Sequence, residues 1–338
     1  MTEAARGEAS DVADQLPRET WVKSYSYLRT AMVALLIALG VAVFYQTSQQ
    51  QWHPLASVSA YYYTSAQAIF VGALIGLGAC MIALKGTTLV EDVFLNIGGM
   101  FAAVVAIVPT SRGKDYETAV RACREAAGPL LTEKASKDLG CPTVLALADA
   151  TNANVENNMI ALLIVGLLGL LAALYFAWRD ARGLGGWFWW GFAAACAIFL
   201  AAGVVFLAFT DWFVGAGHYI AAGGLLVCVI AVAIVNALRR QRGSATPVSP
   251  PTASAVERTR TGLTAAGGTM VQAPTQLNRY AWIAWVMIGV AVAGGVLVLI
   301  NAFALFWLEI AVALLFVVFW TAQTLELMPR SSAAHDPR

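Results

Sequence analysis

Apolar runs of about 18 residues or more recur along the chain, near 28–46, 60–84, 92–109, 158–178, 187–209 and 217–238. Runs of that length mark helices that cross a membrane. A final apolar block covers 280–325. As one helix it would be about 68 Å long, against a hydrocarbon core of about 30 Å. It is therefore read as two spans, with Asn301 at the turn. The pattern predicts an all-α fold, a polytopic transmembrane helix bundle of eight spans.

Polar stretches divide these runs. Residues 1–27 form a polar N-terminal tail, and 110–157 a large polar loop whose stretch 115–139 has a helical mix of charge with Ala and Leu. Residues 239–279, beginning "RRQRGSATPVSPPTASAVERTRTG", are rich in Pro, Ser, Thr and Gly. Such a segment buries too little apolar surface to offset the entropy of ordering, so a disordered linker is expected there. The chain thus reads as a six-span bundle (28–238), a linker, a two-span hairpin (280–325) and a C-terminal tail (326–338). The first span follows polar residues carrying five acids rather than a short basic region, so it is expected to remain as an anchor and not to be a cleaved signal.

Composition agrees with a membrane protein. Of 338 residues, 59% are apolar and 12% charged, against about half and about a quarter in soluble domains. The net charge of +1 gives no basic patch for nucleic acid. Sixteen Arg against five Lys, with abundant Ala, suggests a bacterial, GC-rich source. Lys and Arg in short loops favour the cytoplasmic side. With a cytoplasmic N-terminus, fifteen of the twenty-one basic residues fall inside, and the other six share the 110–157 loop. The short outer segments 47–58, 210–216 and around 301 have none. Both termini are therefore expected in the cytoplasm and the long loop outside, in a multi-pass protein of the cell membrane.

Five cysteines follow the same division. Cys80, Cys196 and Cys228 fall within spans, while Cys123 and Cys141 share the outer loop. Two cysteines in an oxidising compartment are expected to pair. The motif "GWFWWGF" (186–192) and the residues Phe209, Trp212 and Phe213 fit aromatic belts at the two interfaces. Tyr61, Tyr62 and Tyr63 would point about 100° apart on a helix, so at least one is expected to face headgroups. Gly72 with Gly76, and the pairs at 98–99, 223–224 and 294–295, read as close-packing positions.

A charge within the membrane is costly and is a functional candidate by default. Glu309 lies in the eighth span. Asp92 and Asn96, spaced i, i+4 at the inner start of the third span, read as a polar seam between helices. Ser57, Ser59, Tyr61, Asp211, His218 and Glu309, with His53 further out, all fall on the outer side. If they converge, they form one outward-facing cavity. Histidines and carboxylates have the chemistry of a zinc site or of proton transfer, but no spacing such as H-E-x-x-H occurs. The plainer reading is of interfacial residues bonded to water and headgroups. No phosphate-binding loop, nucleophile elbow or cysteine pair with metal spacing is present.

"SVSAYYYT" (57–64), "FVGAL" (70–74), "ED" (91–92), Asn96 and "VPT" (108–110) resemble an uncharacterised group of bacterial multi-pass membrane proteins over about residues 28–240. That resemblance implies a fold type and no assigned activity. Membrane hydrolases of the alkaline ceramidase and adiponectin-receptor kind are a second comparison. They gather a serine, an aspartate and three histidines around one zinc, whereas here Asp92 lies opposite Ser57 and Ser59, and only His218 is near a span.

Three functions are thus expected in descending order. The first is a non-enzymatic membrane protein, without cofactor, that binds a lipid or small apolar ligand or assembles with partners through its outer face. The second is a zinc-dependent hydrolase acting on lipid. The third is a transporter with Glu309 as its proton-linked carboxylate.

Overall fold

The computed structural model describes residues 3–86, 88–126, 140–179, 186–244, 279–300 and 304–327. These residues are helical or in connecting turns, with no strand among them. Nine α-helices form: α1 (Glu3–Gln49), α2 (Gln67–Ala83), α3 (Leu89–Ile107), α4 (Lys114–Ala126), α5 (Cys141–Arg179), α6 (Gly186–Ala208), α7 (Thr210–Ser244), α8 (Arg279–Ile300) and α9 (Ala304–Leu327). Seven contain apolar stretches long enough to cross a membrane, and α2 is a shorter apolar helix of 17 residues.

Helices α1, α2, α3, α7, α8 and α9 each touch the next, and α9 returns to α1. They form a closed ring of six. Helix α6 packs outside the ring on α3 and α7, and α5 packs on α6 and α3. The order of the apolar helices along the chain is therefore not the order of packing. The last two helices complete the ring that the first three and α7 leave open.

The ring is filled, not hollow. Met32, Met81, Leu95, Met287, Phe319 and Trp320 are almost wholly shut from solvent. Between Met81, Leu95, Val232 and the aromatic group Phe316, Phe319 and Trp320, no space remains for a water molecule. The outside is the reverse: Trp178, Trp190, Leu299 and Ile300 are more than 70% exposed. So much exposed apolar surface is untenable for a water-soluble monomer and natural for helices against lipid.

Small residues set the closest approach. A Cβ on Gly78 would lie 2.6 Å from the carbonyl oxygen of Gly99, and one on Gly99 would lie 2.6 Å from that of Gly78. The backbones of α2 and α3 therefore touch directly, as they can where two small residues face each other. Gly76, half of the G-x-x-x-G pair, meets Leu35 of α1, whereas Gly72 meets nothing. The Gly294–Gly295 pair lies within continuous helix.

Three boundaries differ from expectation. The apolar run 60–84 is not all α-helix: Ser59–Tyr63 is a short 3-10 turn, and α2 begins only at Gln67. The polar tail 1–27 continues as helix into the first span from Glu3. Helix α5, at 39 residues, spans about 58 Å and so contains the second half of the expected loop as well as a span. The loop's first half is α4, bridged to α5 by the disulfide Cys123–Cys141, with a Cα–Cα distance of 5.3 Å. Most of the linker 239–279, the C-terminal tail from 328 and the turn at Asn301 lie outside the described residues.

Candidate functional site

Polar side chains gather at the two ends of the ring. At the disulfide-bearing end, the strap from Leu55 to Thr64 runs between α1 and α2 and dips into the ring. The Ser57 hydroxyl accepts from the Ala60 N–H at 3.0 Å and nucleates the 3-10 turn. Glu309, five residues into α9, receives the exposed N-terminus of that turn. One carboxylate oxygen accepts from the Val58 N–H. The other accepts from the Ser59 hydroxyl at 3.0 Å. A carboxylate at a helix N-terminus complements its free N–H groups, which accounts for an acid this far into an apolar helix.

All three tyrosines make packing contacts, with Tyr61 and Tyr62 buried and Tyr63 half-buried. Tyr61 is fully buried, and its hydroxyl bonds the Thr47 hydroxyl of α1. Tyr62 is buried edge-on against Phe70. Tyr63 donates to the Thr110 carbonyl at 2.7 Å. A 3-10 turn spreads successive side chains to three directions: toward α1 for Tyr61, α2 for Tyr62 and the segment after α3 for Tyr63.

His218 and Asp211 do not join Glu309. His218 of α7 is 2% exposed, and its Nδ1–H donates to the Val108 carbonyl at 2.6 Å, at the end of α3. That bond fixes the ring tautomer and caps an otherwise free carbonyl. Thr110 beside it donates to the Tyr219 hydroxyl at 3.0 Å. Asp211 is exposed, and His53 is exposed with its ring nitrogen 3.3 Å from the Gln50 carbonyl. Among the described residues no three His, Cys, Asp or Glu side chains come together as a metal site would need.

Where the strap, α2 and α5 meet, there is a pocket of about 200 Å³. Tyr63, Gln67, Arg112, Leu147, Thr151 and Asn154 are among its lining residues. Arg112 lies over the Tyr63 ring, with its guanidinium carbon 3.7 Å from the ring centre, and 5.5 Å from that of Tyr116. Burial pushes the Tyr63 phenol above its ordinary value, and the Arg112 charge offsets part of that rise.

The opposite end of the ring holds a second group. Glu91 is 1% exposed and Arg29 3% exposed. The negative charge of Glu91 acts on the Arg29 guanidinium, which also lies 5.3 Å from the centre of a Trp320 ring. Asn236 donates from Nδ2 to a Glu91 oxygen at 2.8 Å and to its own helix at the Val232 carbonyl, 2.9 Å. Four ring helices, α1, α3, α7 and α9, thus meet around two buried side chains of opposite charge, Arg29 and Glu91.

Sequence reasoning placed the polar seam one residue away, at Asp92 and Asn96. Asp92 instead accepts from the Gly86 N–H and closes the α2–α3 turn, and Asn96 is exposed. Thr88 caps α3 by accepting from the Glu91 N–H at 3.1 Å. A capping residue three positions before an acid suggests that the acid turns back to the cap. Here the Glu91 side chain points inward to Asn236. The available signal was phase: Glu91 lies on one helical face with Leu95, Gly98 and Ala102, all buried.

Along α9, Glu309 and Trp320, the ring beside Arg29, are separated by about 16 Å at 1.5 Å per residue, with Phe316 and Phe319 of the aromatic plug between them. The two polar groups are therefore distinct sites on one scaffold. Comparison with known protein families, with curated proteins and with solved structures gives no match.

Proposed function

We propose that this is an integral membrane protein of eight crossings, with both termini cytoplasmic and the Cys123–Cys141 hairpin outside. We propose that it binds a lipid or small molecule at that outer face without transforming it. The pocket beside the strap carries the reading. It opens at the level where α3 ends, and the disulfide ties together the two helices, α4 and α5, that follow it. A disulfide supports an oxidising compartment for that end, and the basic residues favour the other end for the cytoplasm. The partly open, mostly uncharged lining suits binding of one small group more than acid–base chemistry.

Two measurements test this. Labelling of single cysteines placed at 120 and 242 should modify the first from outside the cell and the second only after permeabilisation. Native mass spectrometry of the full chain released from membranes should show a retained ligand. Protein that is bare in every preparation would refute the binding reading, and label reaching residue 242 from outside would refute the topology.

A proton-linked transporter is a second reading because the ring holds a carboxylate at each end, half-buried Glu309 and buried Glu91. It requires the aromatic plug to open. Uptake whose pH dependence is unchanged in Glu309→Gln would remove it. A zinc hydrolase has less support, since His218, Asp211 and Glu309 are each committed elsewhere or apart. Stoichiometric zinc in purified protein would revive it.

A further inference from the structure

We propose that the pocket beside the strap recognises a phosphate group, with Arg112 supplying the charge, and that its natural source is a phospholipid headgroup. This rests on the ligand-binding reading above and narrows it to a class of ligand.

Among the described residues, Arg112 is the single charged side chain lining the pocket, and no carboxylate is among them. A cation facing a cavity without a counter-ion creates a field that favours one sign of ligand. Its geometry suits that task. Stacking over an aromatic ring holds a guanidinium by its face and leaves its N–H edge for hydrogen bonding. The position 3.7 Å above the Tyr63 ring centre is of this kind. Tyr63 is itself fixed by its bond to the Thr110 carbonyl and by an edge-on contact with Tyr62. The platform under the arginine is therefore rigid.

The hydrogen-bond inventory also lacks acceptors. The Arg112 Nε–H and the Tyr116 hydroxyl are shut from solvent and have no partner among the described residues. Buried donors left unmet point to a missing acceptor. Three of the hydroxyls at the pocket already donate elsewhere: Tyr63 to the Thr110 carbonyl, Thr64 to the Tyr61 carbonyl and Thr151 to the Leu147 carbonyl. The Gln67 and Asn154 amides supply further donors on the far walls. A phosphate carries several acceptor oxygens and matches a guanidinium fork in two parallel bonds. A neutral apolar molecule would leave these donors unmet.

Location selects the source. Arg112 follows the end of α3 by five residues, and Trp52, Trp212 and Trp307 lie exposed at the same end of the bundle. Exposed tryptophans mark the headgroup level. A phosphate there is most abundant as a lipid headgroup.

The test uses full-length protein in a neutral detergent. Isothermal titration is run with dihexanoyl phosphatidylglycerol, with inorganic phosphate and with a neutral short-chain diacylglycerol. Wild type, Arg112→Gln, Arg112→Lys and Leu147→Trp are compared, and each must elute as one species with its disulfide intact. The expected result is binding of the phospholipid above both other probes. Arg112→Gln should weaken it about tenfold or more, the size of one charge-assisted pair, and Arg112→Lys should fall between. Leu147→Trp, which fills the pocket and keeps the charge, should weaken it too. Phosphate binding as tightly as the phospholipid, and lost in Arg112→Gln, would keep the anion site and overturn the lipid source. Equal binding of the neutral diacylglycerol, unchanged in Arg112→Gln but lost in Leu147→Trp, would overturn the anion site and leave the ligand-binding reading standing. No binding of any probe, with bare protein in native mass spectrometry, would overturn both.

Discussion

The buried, oppositely charged side chains of Arg29 and Glu91 allow a prediction whose ordering can be worked out in advance. Replacing Glu91 by Gln keeps the shape and an oxygen facing Asn236 but removes the charge. Arg29, 3% exposed, then loses the opposite charge that acts on it. Breaking one side of a buried pair costs about 3–5 kcal/mol. Replacing Asn236 by Leu removes a single bond between helices, the 2.8 Å contact with Glu91, since its other partner is on its own helix. Such bonds within membranes average about 0.6 kcal/mol and reach about 1.7. Glu91→Gln should therefore exceed Asn236→Leu by at least about 1.3 kcal/mol, the lower bound of one less the upper bound of the other. The double variant Arg29→Met with Glu91→Leu removes both charges at similar volume, and should cost less than either single change. Unfolding equilibria in mixed detergent and dodecyl sulfate, followed by tryptophan fluorescence, give the values for these variants and for Arg29→Met and Glu91→Leu alone. The reasoning is refuted if Glu91→Gln is no more harmful than Asn236→Leu, or if the double variant costs the sum of its parts.

Three other outcomes follow from the geometry. Gly99→Leu should destabilise by about 1–3 kcal/mol or more through overpacking, because its Cβ meets the Gly78 backbone, whereas Gly72→Leu, facing open space, should be tolerated in the same unfolding assay. Cys123→Ser should lower stability by about 3 kcal/mol, the loop-closure value for a bridge across 18 residues, and reductant should have no further effect on that variant; equal stability with and without reductant in wild type would contradict this. Tyr63 titrates above its ordinary value because it is buried. The unfolded chain then loses that proton first, so the contribution is complete below about pH 10 and falls as pH rises toward the folded value. Unfolding free energy between pH 9 and 11 should drop more in wild type than in Tyr63→Phe, and parallel curves would show that the phenol does not contribute.

Much of the architecture was legible in the chain alone. Long apolar runs identify the helices because lipid offers backbone groups no partner, so each span must satisfy its own hydrogen bonds. Two cysteines in one polar segment were enough to expect the Cys123–Cys141 bridge. The acid in α9 was also visible, since little else polar occurs there. Its partner was not: Glu309 bonds residues some 250 positions away, and local pattern carries no record of a contact that distant. Tertiary structure alone decided that the final hairpin closes a ring with α1 and α7, that Glu91 rather than Asp92 turns inward, and that His218 and Asp211 stay apart from Glu309. The physical reason is common to all three. Hydropathy separates lipid from water but ranks every apolar face alike. Which faces meet is settled by small residues that let backbones touch and by single polar atoms that must find one another.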